Sequence, residues 1–423
     1  LTNNTLNITN RAHGIYINSG SNVSIDCQGA SINGSNTSTS YGVYSSQLNT
    51  TIKNCIINNF ATGIYISGDA ADYANITNNT ITLTYATSCS DSTGACNAIF
   101  LTGADFAYVN SNNVRTSAVA NAIGINLYSS AVNNSLSYNN ATGSYYGFYL
   151  YVSSNNNLTN NSAYNSSYYG FYLYILSDSN NLSGNYAYNS TQRGFSIRSA
   201  SNNILSNNNA TICPFGFMFY SGSNNTLSNN YAYNSSTAGF YFDSTPQNTL
   251  SSNYAYNSTY GVFLILSSHN NLSNNYMQTN STTSTYGALY LTSNSANNTF
   301  TNNTINSSAT GSDVAKAIYL NSGQNNTFIN NTIRVASAAT TSAIYAAAVS
   351  GNNTFLRNNL TAPVWINDLN NSNYYNSSSA GNIYYFANGT ASWPAFNITD
   401  TNGDTWADAG SAIPFNATTV GGN

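Results

Sequence analysis

Acid–base chemistry on a polymer needs two carboxyl groups facing one groove, one protonated and one ionised. All twelve acidic residues of this 423-residue chain are Asp, and they are scattered along it. The best grouping is Asp69 and Asp72 with Asp105. Asp69 and Asp105 follow the runs Gly63-Ile-Tyr and Ala98-Ile-Phe at offsets of six and seven, which predicts neighbouring turns of a repeat, with Arg115 on the next strand. The competing reading is that these are polar turn residues. His13 and His269 have no Cys or carboxylate at ligand spacing, so neither predicts a metal centre or a general base. In the tail, Asp400, Asn402, Asp404 and Asp408 occupy relative positions 1, 3, 5 and 9, the spacing of oxygen ligands around a Ca²⁺ loop. Thr405 and Ser411 stand where such a loop has Gly and Glu, so a solvated turn competes with a structural Ca²⁺ site. No other cofactor is expected.

The elements that must position these groups are all β. Helix formers are scarce, whereas Tyr numbers 36 and Phe 18. Only 5% of residues are charged and Lys and Arg together number eight, too few to neutralise a nucleic-acid backbone. No apolar run is long enough to span a membrane. At 41% hydrophobic the chain can fill a core, which excludes disorder.

Two landmarks recur. The first is Gly or Ala opening an alternating apolar run, as in Gly147-Phe-Tyr-Leu, Gly170-Phe-Tyr-Leu and Gly239-Phe-Tyr-Phe; fourteen copies stand mostly 22 to 28 residues apart. The second is an apolar anchor with Asn three places later: Leu158 and Asn161, Leu182 and Asn185, Leu227 and Asn230, Leu250 and Asn253, Leu272 and Asn275. Each period holds two or three short strands that cannot bury an apolar face alone, so stacking must make the core. Asn tolerates the left-handed backbone of a tight corner, and Asn at one corner of every turn can form a hydrogen-bonded ladder. The expected fold is a parallel β-helix of about fourteen turns over residues 1–362, followed by a cap over 363–423 that holds all three Trp.

The segments Val23-Ser-Ile-Asp-Cys-Gln-Gly-Ala-Ser-Ile-Asn-Gly34 and Thr51-Ile-Lys-Asn-Cys-Ile-Ile-Asn-Asn-Phe-Ala-Thr-Gly-Ile-Tyr-Ile66 resemble the opening of right-handed parallel β-helix proteins of the pectate-lyase-like superfamily. The nearest likeness is to the carbohydrate-binding and sugar-hydrolase repeats of bacterial and archaeal surface proteins, including the copper-processing accessory protein of nitrous oxide reductase. The stretch Asp400–Asp408 resembles the Asp/Asn/Gly-rich ending of such proteins. The resemblance implies a groove with Asp triads for hydrolysis, or with Ca²⁺-binding carboxylates and an Arg or Lys base for lyase chemistry. It is specific for fold and not for activity. Two His and two Met give copper little to bind.

Cysteine and sequon usage point outside the cell. Cys27 and Cys55 stand one repeat apart, and Cys89 and Cys96 bracket a short loop, so two disulfides are expected, with Cys213 in the core. Asn-x-Ser/Thr sequons abound, and Asn165, Asn189, Asn234, Asn257, Asn280, Asn306, Asn376 and Asn388 are the expected glycan carriers. With no leader at Leu1, the chain reads as a processed secreted form or a fragment. The residue two after each Gly should alternate outward, in a row through Tyr65, Phe100, Tyr149, Tyr172, Tyr241, Phe263, Leu289, Tyr319 and Tyr345. Such a row is an aromatic ladder, a sugar platform or a contact with another copy. Tyr149, Tyr172, Tyr241, Phe263, Tyr319 and Tyr345 are its expected contact residues. The expectation drawn is a glycosylated extracellular protein that self-assembles into a layer, stalk or filament rather than an enzyme. The alternative is a carbohydrate-binding or carbohydrate-active β-helix protein.

Overall fold

The structure, a computed structural model, describes residues 6–7, 13–35, 38–84, 95–116, 121–279, 287–308, 315–336, 341–362, 364–370, 372–375 and 381–385. It is an all-β, right-handed parallel solenoid of about fourteen turns with three sheets. Two compact units, residues 1–214 and 215–423, are built on the same plan.

A turn of the first unit runs through Asn157–Thr159, Ser162–Tyr164 and Tyr169–Tyr174. Each strand pairs in parallel with its equivalent one turn on, so Leu158 lies opposite Leu182, Ala163 opposite Ala187 and Phe171 opposite Phe195. We call these the anchor, alanine and long-strand sheets. In a three-residue strand only the middle side chain points inward, which is why the anchor and the Ala are buried and their neighbours are not. The second unit repeats the plan with Thr249–Ser251, Tyr254–Ser258 and Tyr260–Ile265.

The small residues have a geometric cause. A Cβ on Gly147 would lie 2.6 Å from the Gly170 carbonyl oxygen and 2.7 Å from the Ala163 Cβ, so the long-strand and alanine sheets meet where nothing larger fits. Elsewhere the core is filled by flat stacks: Phe148 on Phe171 at 4.6 Å and Phe171 on Phe195 at 4.7 Å in the first unit, Phe300 on Phe328 at 4.6 Å in the second. Each stack contributes about 0.5–1.5 kcal/mol beyond area burial.

The anchor-plus-three Asn form a buried ladder. In the first unit Asn79, Asn112, Asn139, Asn161, Asn185 and Asn208 link Nδ2 to the next Oδ1 at 2.9–3.1 Å. In the second unit Asn230 donates to Asn253 and Asn253 to Asn275, both at 3.0 Å. The left-handed backbone falls not on these Asn but on the residue before each, as at Asn160 (φ 54°) and Asn229 (φ 54°). A second ladder, which the spacing argument did not find, runs through Asn134, Asn156, Asn180 and Asn203 of the first unit. In the second unit it runs through Asn225, Asn248, Asn270, Asn298, Asn326, Asn353 and Asn373.

The ends differ. In the first unit Cys55 takes the place before Asn79 in the ladder, its backbone N donating to Asn79 Oδ1 at 3.0 Å, and it forms a disulfide with Cys27. In the second unit the sheets run past the boundary expected at 362. Val364–Asp368 pairs with Ser342–Ala346, Ile383–Tyr385 pairs with Asn359–Thr361, and Trp365 is a core residue. The buried Asp368 accepts from Asn373 Nδ2 at 3.0 Å, Asn370 N at 2.9 Å and Tyr375 OH at 3.1 Å, placing a carboxylate at the donor end of the second ladder.

Candidate functional site

The corner between the long-strand and anchor sheets follows a rule in the first unit: a polar capping residue, a residue with left-handed backbone, then a buried ladder Asn. Ser154-Asn155-Asn156, Asp178-Ser179-Asn180 and Ser201-Asn202-Asn203 obey it. The four earlier turns do not: Ser21-Asn22-Val23 and Leu48-Asn49-Thr50 place Val and Thr at the ladder position, and two successive turns after them place Ala there. They read Asp72-Tyr73-Ala74 and Asp105-Phe106-Ala107, aligned by Tyr73 N donating to Asp105 O at 2.9 Å and Phe106 N to Val132 O at 3.3 Å. Tyr73 and Phe106 hold φ of 61° and 54°, which aromatic side chains rarely adopt. They stack at 5.2 Å and 12°, and stay 54% and 48% exposed. Tyr108, two residues beyond Phe106 on the strand Tyr108–Asn110, is exposed as well. The second ladder begins at Asn134; Ala74 and Ala107, like Val23 and Thr50 in the turns before them, stand outside it. Asn134 accepts from Ala107 N at 2.7 Å, yet its own buried Nδ2 finds no acceptor.

Three carboxylates line this corner. Asp72 Oδ1 accepts from Asp105 N at 2.9 Å, and Asp105 Oδ1 accepts from Val132 N at 2.8 Å. Asp178 makes the same bond to Ser201 N, so the polar-turn reading accounts for one oxygen of each side chain. Asp69 opens the 3₁₀ turn Asp69–Ala71 behind Gly68. Its carboxylate reaches toward Gly103, where an added Cβ would sit 3.0 Å from Asp69 Oδ1, and Gly103 itself holds φ 60°. Burial pushes the Asp105 carboxyl up; the Val132 amide opposes this, and the charges on Asp72 and Asp69 add to it. A carboxyl that keeps its proton more readily, beside two others, is the arrangement acid–base chemistry asks for.

Arg115 does not join them. It lies on the alanine-sheet strand Asn113–Arg115, opposite Thr82 and Thr142, and not on the face that carries the carboxylates. Among the described residues no group of three or more His, Cys or Asp is placed to hold a metal ion. His13 stacks on Tyr41 at 4.9 Å, and His269 is a corner residue with φ 59°. The donors among the described residues therefore do not fit a copper centre. Asp400, Asn402, Asp404 and Asp408 lie outside the described residues, as do Cys89, Asn280, Asn376 and Asn388; Cys96 is disulfide-bonded.

The aromatic row is largely covered by the chain itself. Phe100 is fully buried and Tyr172 is 5% exposed, so neither is available to a second copy. Tyr149, Tyr241, Phe263, Tyr319 and Tyr345 are half-buried. Leu289 pairs with Val262 and Ile318 and points into the core; Tyr290 takes the place assigned to it, because this turn carries one more residue after Gly287. Around Tyr149 the tyrosines form an outer cluster in which Tyr146, Tyr169 and Tyr172 pack ring on ring, and burial pushes these phenols up. Arg193 and Arg198 lie over Tyr169 and Tyr174 at 4.6 and 5.5 Å.

Asn165 and Asn189 occupy exposed corners, the second donating Nδ2 to the first at 2.8 Å, and Asn257 donates to Asn234 likewise. Asn306 sits within the strand Thr304–Ser307.

Comparison with known proteins agrees with the fold. A model for a right-handed beta helix region matches residues 158–305, and one for the periplasmic copper-binding protein NosD matches 232–391. The chain is a right-handed parallel β-helix repeat protein. No curated protein sequence matches it. Among solved β-helices, the periplasmic alginate epimerase AlgG is 12% identical over 75% of this chain and 84% of its own, with a TM-score of 0.53. The A-module of mannuronan C-5 epimerase AlgE4 from Azotobacter vinelandii is 13% identical over 72% and 86%, with a TM-score of 0.47. At such identities the likeness is one of fold.

Proposed function

We propose that this β-helix protein binds carbohydrate and that the acidic and aromatic corner at residues 68–73 and 103–108 is its site. One observation carries the reading: two adjacent turns hold aromatic residues in left-handed backbone at the same corner and expose them as a stacked pair beside three carboxylates. Local rules are broken where function has use for the exception. Exposed ring surface takes the C–H face of a sugar, and carboxylate oxygens accept sugar hydroxyls. Asp105, with its raised carboxyl, is the residue to donate or take a proton if the bound glycan is also altered, with Asp69 or Asp72 as its ionised counterpart.

The folds of AlgG and AlgE4, both named as epimerases of sugar polymers, are compatible with this reading and favour it over self-assembly. Phe100 and Tyr172 of the aromatic row are already covered, which leaves fewer of its rings open to a second copy. The Cys27–Cys55 disulfide supports an extracellular or periplasmic setting. N-glycans at Asn165 and Asn189 and Ca²⁺ in the tail belong to the same reading as accessory features.

The test is binding to a panel of immobilised polysaccharides. The protein should be retained by at least one of them, and Phe106→Asn should lower affinity about tenfold or more. Undiminished retention of the variant, or no retention of the parent, would refute the assignment.

A further inference from the structure

Resting on that carbohydrate reading, we infer that the corner takes an uncharged saccharide and rejects uronates. Asp72 and Asp105 directly precede Tyr73 and Phe106 in the two stacked turns, and Asp69 reaches toward Gly103 at the same corner, so a ligand seated on the rings meets a corner that carries several negative charges. Recognition of a sugar carboxylate calls for the opposite, a guanidinium fork or an ammonium at the seat.

The described cations of the first unit are committed elsewhere. Lys53 pairs with Asp26 at 3.4 Å. Arg115 is on the alanine sheet, opposite Thr142. Arg193 and Arg198 lie over tyrosines of the long-strand sheet. None of them belongs to the corner turns 68–73 and 103–108.

Neutral sugar hydroxyls suit the site in a way a uronate does not. They donate to carboxylate oxygens in charge-assisted hydrogen bonds, and the ring C–H groups face aromatic carbon. Asp72 and Asp105 each spend one oxygen on a backbone amide of the next turn, which fixes the side chain and leaves the other oxygen to such a donor. A ligand carboxylate held roughly 6 Å from one of these groups loses about tenfold in affinity per like charge in a partly solvated setting, and that loss shrinks in salt.

The experiment compares paired oligosaccharides of equal length: glucose, mannose and galactose oligomers against glucuronate, mannuronate and galacturonate oligomers. They are titrated against the intact protein at low and at high ionic strength. At low salt the best neutral oligomer should bind at least tenfold more tightly than its uronate counterpart, and the gap should narrow in high salt. Asp72→Asn and Asp105→Asn should narrow it as well by raising uronate affinity, because Asn keeps the oxygen that accepts the neighbouring amide. A uronate that binds as tightly as its neutral partner, or an unchanged gap in both variants, overturns the inference while leaving the carbohydrate reading standing. Binding of neither series overturns both. Circular dichroism and melting of each variant separate loss of the site from loss of the fold.

Discussion

One corner of the first unit exists in two versions a few ångströms apart. From Asn134 onward it is an amide ladder, closed to water and repeating from turn to turn. In the two preceding turns it carries Tyr73 and Phe106 in left-handed backbone, Ala74 and Ala107 in place of the ladder, and carboxylates on the rim. Backbone pairing is the same in both, since Tyr108 N bonds to Ala74 O at 2.7 Å as Asn157 N bonds to Asn134 O at 2.8 Å. The side chains differ. The ladder version satisfies buried polar groups; the other holds aromatic residues in left-handed backbone where Asn would cost less. A solenoid tolerates this because each turn contacts only its neighbours, so a local loss does not spread.

The largest effect should come from breaking the ladder where it is complete. Asn161 Oδ1 accepts from the Asn139 backbone and Nδ2, and Asn161 Nδ2 donates to Leu136 O at 2.8 Å. In Asn161→Ala the Asn139 amide and the Leu136 carbonyl are stranded in a dry core, which costs about 3–5 kcal/mol. Urea titration should show the loss, and hydrogen exchange should confine the loosening to the turns around 136–185. Uniform exchange across the first unit would mean that the ladder is not a chain of local contacts.

A smaller effect of opposite sign should follow from converting the exceptional corner to the common one. Replacing Tyr73, Ala74, Phe106 and Ala107 together by Asn extends the ladder by two turns, with residue 107 donating Nδ2 to Asn134 Oδ1, and relieves two left-handed aromatic residues. We expect a gain of about 1–2 kcal/mol with saccharide binding abolished. If stability falls, the strain argument fails; if binding survives, the site lies elsewhere.

The fold was legible because its signals repeat. Gly147, Gly170 and Gly239 mark close approach, Leu158 and Leu182 mark the inward middle of short strands, and Asn161 and Asn185 mark a ladder. The second ladder also repeats, as Asn two places before each anchor, Asn156 before Leu158 and Asn248 before Leu250. Sequence spacing hides it because the left-handed backbone and the ladder fall on two neighbouring residues rather than on one. The doublet also accounts for many sequons: in Asn160-Asn161-Ser162 and Asn302-Asn303-Thr304 the first Asn turns the corner, the second joins the ladder and the hydroxyl residue opens a strand. Sequon density in this chain is partly a by-product of solenoid geometry. The grouping of Asp69, Asp72 and Asp105 followed from repeat offsets, but Tyr73 and Phe106 did not, because only coordinates reveal an exposed stack. The strand that carries Arg115 joins the alanine sheet, which sequence proximity to a turn does not reveal, because it does not say which of three sheets a strand joins.

The smallest effect concerns pH at the same corner. Burial, reinforced by Asp72 and Asp69, raises the Asp105 carboxyl above its ordinary 3.8. The folded state thus holds this proton more tightly than the unfolded chain, so ionisation weakens the fold, and the penalty is present above the raised value and fades as pH falls toward 3.8. Asp26 has the opposite sign. Hydrogen bonds from Asn54 and the Gln28 amide lower its carboxyl, so its stabilisation is present above the ordinary value and lost on acidification. Asp105→Asn should therefore be slightly more stable than the parent at neutral pH, by under about 1 kcal/mol given solvent screening, and indistinguishable from it near pH 3. Melting curves from pH 3 to 8 read this directly. An Asp105→Asn variant that is less stable at pH 7 would mean that the carboxylate holds the corner together, and its place on the rim would then be structural rather than reserved for a ligand.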